Sequence, residues 1–147
     1  MLLWRISRHW DLKGAGGLHA PGRWHHRGAP VVYLAETPAG ALLEVCVHTS
    51  ANDVPPSYTL LALQVEESIS METLDASTLP PDWIDHVKVT REIGSAWLQS
   101  QRSALFRVPS ALLPATFNVL LNPLHADGAR IIIDSAYNFP LDPRIKR

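Results

Sequence analysis

The order of apolar runs along this chain predicts an α+β fold, mostly antiparallel sheet with a few helices. Two strand-like runs precede the first helical segment, one follows it, and three more cluster after the second. That clustering differs from the regular alternation of βαβ units. The runs are short and rich in β-branched and aromatic residues, the composition of strands. With 147 residues, 46% hydrophobic and 18% charged, the chain reads as one globular domain spanning residues 1–147, and disorder is excluded by composition.

Leu2 to Ile6 is the first strand, with Arg5 turned outward or toward a ligand. Ser7 to Leu18 is irregular and glycine-rich, without the G-x-G-x-x-G spacing of a dinucleotide fingerprint. The loop GRWHHRGAP, residues 22–30, leads into the strand VVYLA, residues 31–35. Thr37 then serves as an N-cap and Pro38 as the first helical residue, where a missing N–H costs nothing. The helix runs to about His48, and SANDVPPS is a loop. Tyr58 to Val65 is nearly continuous in apolar residues, which marks a central strand. Glu66 to Pro81 reads as polar connection, and PDWIDHV as a short helical turn. Thr90 to Gln101 is an amphipathic helix with Ile93, Trp97 and Leu98 on one face. Strands follow at Ala104–Val108 and Phe117–Leu121, a last one starts at Arg130 and ends near Ile133, and FPLDPRIKR is a packed extended tail.

The stretch from Gly22 to His48 gathers Arg23, Tyr33 and Glu44 on a loop, a strand and a helix in quick succession. Glu44 shares a helix stripe with Gly40, Ala41 and His48 by the three- and four-residue rule, so small neighbours leave its carboxylate accessible to something large. Arg23 offers a rigid fork of donors for phosphate or ribose oxygens. Glu36, in the turn after the strand, is the rival carboxylate and reads as solvated. Residue by residue, the bland alternatives stay open: a surface arginine, a core tyrosine and a solvated glutamate.

Composition excludes several function classes. A net charge of −1 argues against an electrostatically driven nucleic-acid binder. The single cysteine, Cys46, precludes an internal disulfide, fits a reducing compartment and reads as a buried small hydrophobe. Arg5 and Arg8 interrupt the N-terminal apolar run, so it is no signal peptide, and no run reaches the length of a membrane span. The chain is therefore expected to be cytoplasmic. His25 and His26 are adjacent and no metal-ligand spacing is present, so no metal is expected and local hydrogen bonds account for the histidines. A dispersed Ser110–His125–Asp134 triad is the weakest enzyme reading, since no G-x-S-x-G elbow exists.

Three segments, GRWHHRGAPVVYLAETPAGALLEVCVH, TREIGSAWL and FRVPSALLPATFNVLLNPLH, together resemble the RES-domain family, the toxin halves of bacterial RES–Xre toxin–antitoxin pairs. The resemblance extends from WRIS near the start to LDPRI near the end. Its motifs are a GRW loop, a tyrosine ten residues on, a glutamate eleven beyond that, and V-P-S…N-x-x-x-N-P-x-H. The resemblance implies a fold similar to ADP-ribosyltransferases of the diphtheria-toxin type and an activity that consumes NAD⁺ as substrate. Arg23, Glu44 and Ser110 stand for the family's Arg, Glu and Ser, with Ser103 close by in sequence. Arg23 and Tyr33 fall where the family binds NAD⁺, and Glu44 where its catalytic carboxylate is expected. Asn122 and His125, in the turn after a strand, join Ser110 as further cofactor-binding candidates. The partner implied is a helix-turn-helix, Xre-like antitoxin that covers the site and alone meets DNA; a homodimer is compatible with the family.

Cleaving the nicotinamide–ribose bond passes through an oxocarbenium-like state, and the pyridinium leaving group needs no strong acid. The acceptor stays open between water, phosphate and a protein, that is, between an NAD⁺ glycohydrolase or phosphorolase and a mono-ADP-ribosyltransferase. A reading of another class is a non-catalytic domain that only binds a helix-turn-helix repressor.

Overall fold

The computed structural model of the chain describes residues 1–145, so the last two residues of the expected extended tail lie outside the described residues. The regular elements are β1 (Leu2–Ile6), α1 (Gly16–His19), β2 (Val32–Ala35), α2 (Pro38–His48), β3 (Tyr58–Gln64), β4 (Met71–Thr73), α3 (Val87–Ser100), β5 (Leu105–Pro109), β6 (Phe117–Leu121) and β7 (Ile132–Phe139). The strands form a seven-stranded sheet in the order β4-β5-β6-β2-β1-β3-β7. Every neighbouring pair is antiparallel except β4 with β5. This is the α+β architecture expected from the order of runs.

Side chains alternate across the strands, as a period of two demands. On β2, Val32 and Leu34 enter one core with Leu3, Leu61, Leu63, Leu105, Val119 and Leu121. Val31 and Tyr33 enter the other, which Trp97 and Leu98 of α3 close together with Trp24, Phe106 and Leu120. The amphipathic face read for α3 is therefore the one that packs, with Trp97 stacked on Phe106 at 5.1 Å between ring centroids. The helix begins at Val87, a turn earlier than Thr90, and stops at Gln101, whose φ of 55° is a left-handed cap.

Helix α2 starts as its sequence specifies. Thr37 is extended and its hydroxyl accepts from the Gly40 N–H, with Pro38 in the first turn. Two strands depart from expectation. β4 is a three-residue edge strand inside the segment read as polar connection; so short a piece with alternating exposure leaves no apolar signature. β7 begins at Ile132 and continues to Phe139, well past Ile133. It is the edge strand of the sheet and none of its residues is buried, so selection for apolar residues is relaxed there. The turn in PDWIDHV is present as a 3₁₀ segment at Trp83–Asp85. Among the described residues, no helix is long and apolar enough to cross a membrane.

One irregularity of the sheet positions the site. β1 pairs with β3 along its whole length, and β2 with β6 likewise. β1 and β2 meet only at Trp4 opposite Ala35. The two halves of the sheet diverge from that point, and α2 packs across both strands at the divergence.

Candidate active site

The divergence of β1 and β2 opens a cavity of about 470 Å³, within the range of small-molecule sites. Its wall takes Trp4 and Arg5 from β1, Gly22 to His25 from the loop, Tyr33 and Ala35 from β2, and Ala41, Glu44 and His48 from α2. Ala111, Leu112 and Asn118 complete the far side. Arg23, Tyr33 and Glu44, read from separate elements, thus line one cavity. Ala41, Glu44 and His48 share the helix stripe that faces it.

Helix α3 holds the loop bearing Arg23 at three points. Thr90 Oγ1 donates to the Arg23 carbonyl at 2.6 Å, Arg91 Nε to the Gly22 carbonyl at 2.8 Å, and His26 N–H to Ser95 Oγ at 2.9 Å. Gly94 lets the two backbones touch, because a Cβ there would sit 1.6 Å from the Trp24 carbonyl oxygen. The segment TREIGS is thus the seat of the loop. Arg23 itself reaches across to donate to the Ile84 carbonyl at 2.6 Å, and Trp24 packs on Trp83 with centroids 5.8 Å apart.

The Tyr33 hydroxyl is turned into this loop. It accepts from Trp24 N–H at 3.1 Å and lies 2.7 Å from His25 Nδ1. Burial raises its pKa above the usual phenol range. The hydroxyl is therefore fully engaged, and what the cavity meets is the ring. The Glu44 side chain is 31% exposed, and its carboxylate lies 3.7 Å from His48 Nε2, too long for a hydrogen bond.

The cations of the site share one property. Arg5 donates to the Asp11 carbonyl at 3.1 Å, Arg23 to Ile84 and Arg91 to Gly22, all backbone acceptors. None of the three forms an ion pair among the described residues. Arg102, Arg107, Arg130 and Arg144 each pair with a carboxylate. Burial lowers the Arg5 pKa, with Asp11 opposing. A desolvated guanidinium with most of its donors unspent is a receptor for an anionic group.

Other sequence-stated candidates lie elsewhere. Ser110 is buried behind the rim, accepting from Leu112 N–H, while its neighbours Ala111 and Leu112 line the wall. Asn122 is 1% exposed and spends its amide on the Leu98 carbonyl and the Leu124 N–H. His125 accepts from Asp127 N–H and caps the turn Ala126–Arg130. The fold thus gives Asn122 and His125 to a turn away from the cavity wall. Glu36, read as solvated, keeps 36% of its side chain exposed but is also paired with Arg107, whose guanidinium covers the Phe117 ring at 3.6 Å. Cys46 is half-buried rather than buried.

The residues that sequence reading passed over are Arg91 and Asn118, while His25 makes the local hydrogen bonds read for the histidines. Asn118, 8% exposed, is the polar residue of the run FNVLL; it lines the cavity and has no side-chain hydrogen bond among the described residues. A lone amide inside an apolar strand was the available signal. Nothing in the sequence marked Arg91, whose place depends on how α3 packs.

Comparison with known proteins agrees with this architecture. The RES domain family matches residues 2–142. A protein named Toxin Res from Pseudomonas putida is 42% identical over 149 residues, spanning 99% of both chains. The Prs ADP-ribosylating toxin of a Sphingobium species is 36% identical over 93% of this chain and 88% of its own. In the crystal structure of the M. tuberculosis MbcT–MbcA toxin–antitoxin complex, one chain superposes with a TM-score of 0.70 at 16% identity, covering 95% of this chain and 84% of that one, a likeness of fold. With a match along nearly its whole length and kin that carry the name Toxin Res, this chain belongs to the RES domain family.

Proposed function

We propose that this chain is the toxin of a toxin–antitoxin pair and that it breaks the nicotinamide–ribose bond of NAD⁺. The observation that carries the reading is the cavity itself, whose lining brings one carboxylate, Glu44, together with Tyr33 and with Arg5 and Arg23, which carry no ion-pair partner among the described residues. Arg5 and Arg23 suit the pyrophosphate, each with donors left over after one backbone bond. The Tyr33 ring offers a face for the nicotinamide or ribose. The Asn118 amide, unspent at the far wall, suits a carboxamide or a ribose hydroxyl.

As the bond lengthens, positive charge grows on the anomeric carbon and its ring oxygen. Glu44 stabilises that charge through space or through a ribose hydroxyl, in a site whose walls exclude much of the water. The electron pair of the breaking bond neutralises the pyridinium, so no acid is needed. The acceptor then attacks the exposed face and loses its proton, with Glu44 and His48 as the bases within reach. Water or phosphate as acceptor gives NAD⁺ depletion and arrested growth.

A protein acceptor is the second reading, favoured by the relative named as ADP-ribosylating. The antitoxin is proposed to be a helix-turn-helix protein that covers the cavity and supplies any DNA contact, and the action to be cytoplasmic. The test is direct. The purified chain is incubated with NAD⁺ labelled in the adenylate half, with and without phosphate and cell extract. Free nicotinamide with labelled ADP-ribose or its phosphate supports depletion; label on a protein supports transfer. Intact NAD⁺ in every arm overturns both.

A further inference from the structure

His25 is 3% exposed, sits in the wall of the cavity and takes no part in the chemistry above. Three hydrogen bonds of its ring set its tautomer. Nε2 lies 3.0 Å from the Ala20 carbonyl oxygen, which can only accept, so Nε2 carries the proton. Nδ1 is then a lone pair, and it receives the Gly22 N–H at 3.2 Å and the Tyr33 hydroxyl at 2.7 Å. The Tyr33 oxygen in turn receives the Trp24 N–H at 3.1 Å. Direction is fixed at every step: Tyr33 donates to His25, and His25 donates to Ala20. Gly22 is required at the centre, since a Cβ there would lie 2.3 Å from the Tyr33 hydroxyl and 2.9 Å from Nδ1.

We propose that His25 is the positioning residue of the site: as the neutral Nε2–H tautomer it ties the Tyr33 hydroxyl to the loop on both sides of Arg23, and protonation in acid releases that tie. The inference rests on the reading of Arg23 and Tyr33 as the grip on NAD⁺. Arg23 lies between the two tethered positions, Gly22 and Trp24, so one imidazole sets both the ring that a ligand meets and the guanidinium that holds it.

A proton on Nδ1 turns its acceptor into a donor. Gly22 N–H then keeps only the His25 carbonyl oxygen at 3.2 Å, and the Tyr33 O–H, now facing an N–H, must turn away from the imidazole. The surroundings oppose that proton. Burial is the main cause that lowers the His25 pKa, Arg91 from α3 and His26 beside it act in the same direction, and the Ala20 and Gly17 carbonyls oppose them. On the β2 side stands only Tyr33, itself faced by Glu44 from α2. The neutral form therefore persists below the ordinary histidine range, and release occurs in acid.

The experiment compares the wild-type chain with His25→Leu and His25→Asn. The Asn carbonyl oxygen takes the place of Nδ1 and cannot titrate. For nicotinamide release at pH 7.5, His25→Leu is expected to lose about tenfold or more in kcat/KM, mostly as a raised KM, and His25→Asn to restore most of that loss. Below about pH 6.5, the acid fall of the wild type that His25 causes should be absent in His25→Asn. Equal rates for all three chains, or an unchanged acid limb in His25→Asn, overturn the proposal.

A readout independent of turnover accompanies it. Imidazole ¹⁵N shifts of the wild type should show a protonated Nε2 and a bare Nδ1 that persist below pH 6.5. An Nδ1–H tautomer, or titration at the ordinary value, overturns the assignment even where the Leu chain fails to fold. If the wild type releases no nicotinamide, the proposed activity falls, and the shifts alone decide the His25 network.

Discussion

Gly94→Ala tests the seat on which the whole site rests. Elsewhere in a helix this exchange stabilises by about 1 kcal/mol. Here the new methyl would lie 1.6 Å from the Trp24 carbonyl oxygen, against an ordinary carbon–oxygen contact of about 3.3 Å. Both partners are backbone, so no rotamer change relieves the clash, and α3 and the loop must part by roughly 1.5 Å. That movement breaks or stretches the bonds from Thr90 to Arg23, Arg91 to Gly22 and His26 to Ser95. Three such bonds at about 1 kcal/mol each, plus 1–3 kcal/mol of overpacking, outweigh the propensity gain. The net expectation is a loss of about 3–5 kcal/mol, or a melting point lower by about 6–20 °C for a chain of this size. Urea unfolding followed by the fluorescence of the buried Trp24 and Trp97 measures it. NAD⁺ cleavage should fall in parallel, since Arg23 rides on the displaced loop. A variant as stable as the wild type, or more so, would show that the loop is not seated on α3, and the derivation of the site would fail with it.

Three further outcomes follow from the same geometry. Glu44→Gln should leave the stability within about 1 kcal/mol of wild type while lowering kcat by about a hundredfold or more, measured as nicotinamide release. Arg5→Ala should raise KM for NAD⁺ with no loss of stability in denaturant titrations, because the guanidinium it removes is partly desolvated and has only a backbone partner. Stability should fall with acid through His25, whose folded-state pKa is lowered. The unfolded chain then takes up the proton first, so this contribution is whole above about pH 6.5 and is lost as pH drops from there toward the folded-state value. Unfolding curves across that window should be flatter for His25→Asn.

The strands were legible where burial on both faces forces apolar runs: Tyr58–Gln64 lies inside the sheet and Phe117–Leu121 packs into both cores. β4 and the outer half of β7 were not, because edge strands tolerate polar residues and β4 spans three residues. The helix start at Thr37–Pro38 was readable because capping is local chemistry. For the site, the triad of Arg23, Tyr33 and Glu44 could be read because loop, strand and helix follow one another in sequence. Arg91, Asn118 and the His25 tautomer were hidden, since each depends on an element more than 60 residues from its partner or on a direction of donation that spacing does not encode. Asn122 shows the converse. Its motif position is conspicuous, yet its amide is consumed by Leu98 and Leu124.

The unpaired arginines make a claim that binding can decide apart from catalysis. Arg102, Arg107, Arg130 and Arg144 each spend their charge on a carboxylate, whereas Arg5 and Arg23 keep theirs against backbone oxygens at the cavity. Two like charges at one partly desolvated wall destabilise the free protein, and an anion that bridges them relieves the cost. ADP-ribose, which keeps the pyrophosphate and lacks the bond to be broken, should therefore stabilise the chain strongly, and nicotinamide alone hardly at all. At a hundredfold excess over Kd the gain is about 2.7 kcal/mol, which corresponds to a melting point raised by about 5–11 °C. The shift should shrink with salt and vanish in an Arg5→Ala, Arg23→Ala double variant. An equal shift from nicotinamide and from ADP-ribose would place recognition at the aromatic wall rather than at the guanidinium groups, and the electrostatic account of the cavity would have to be abandoned.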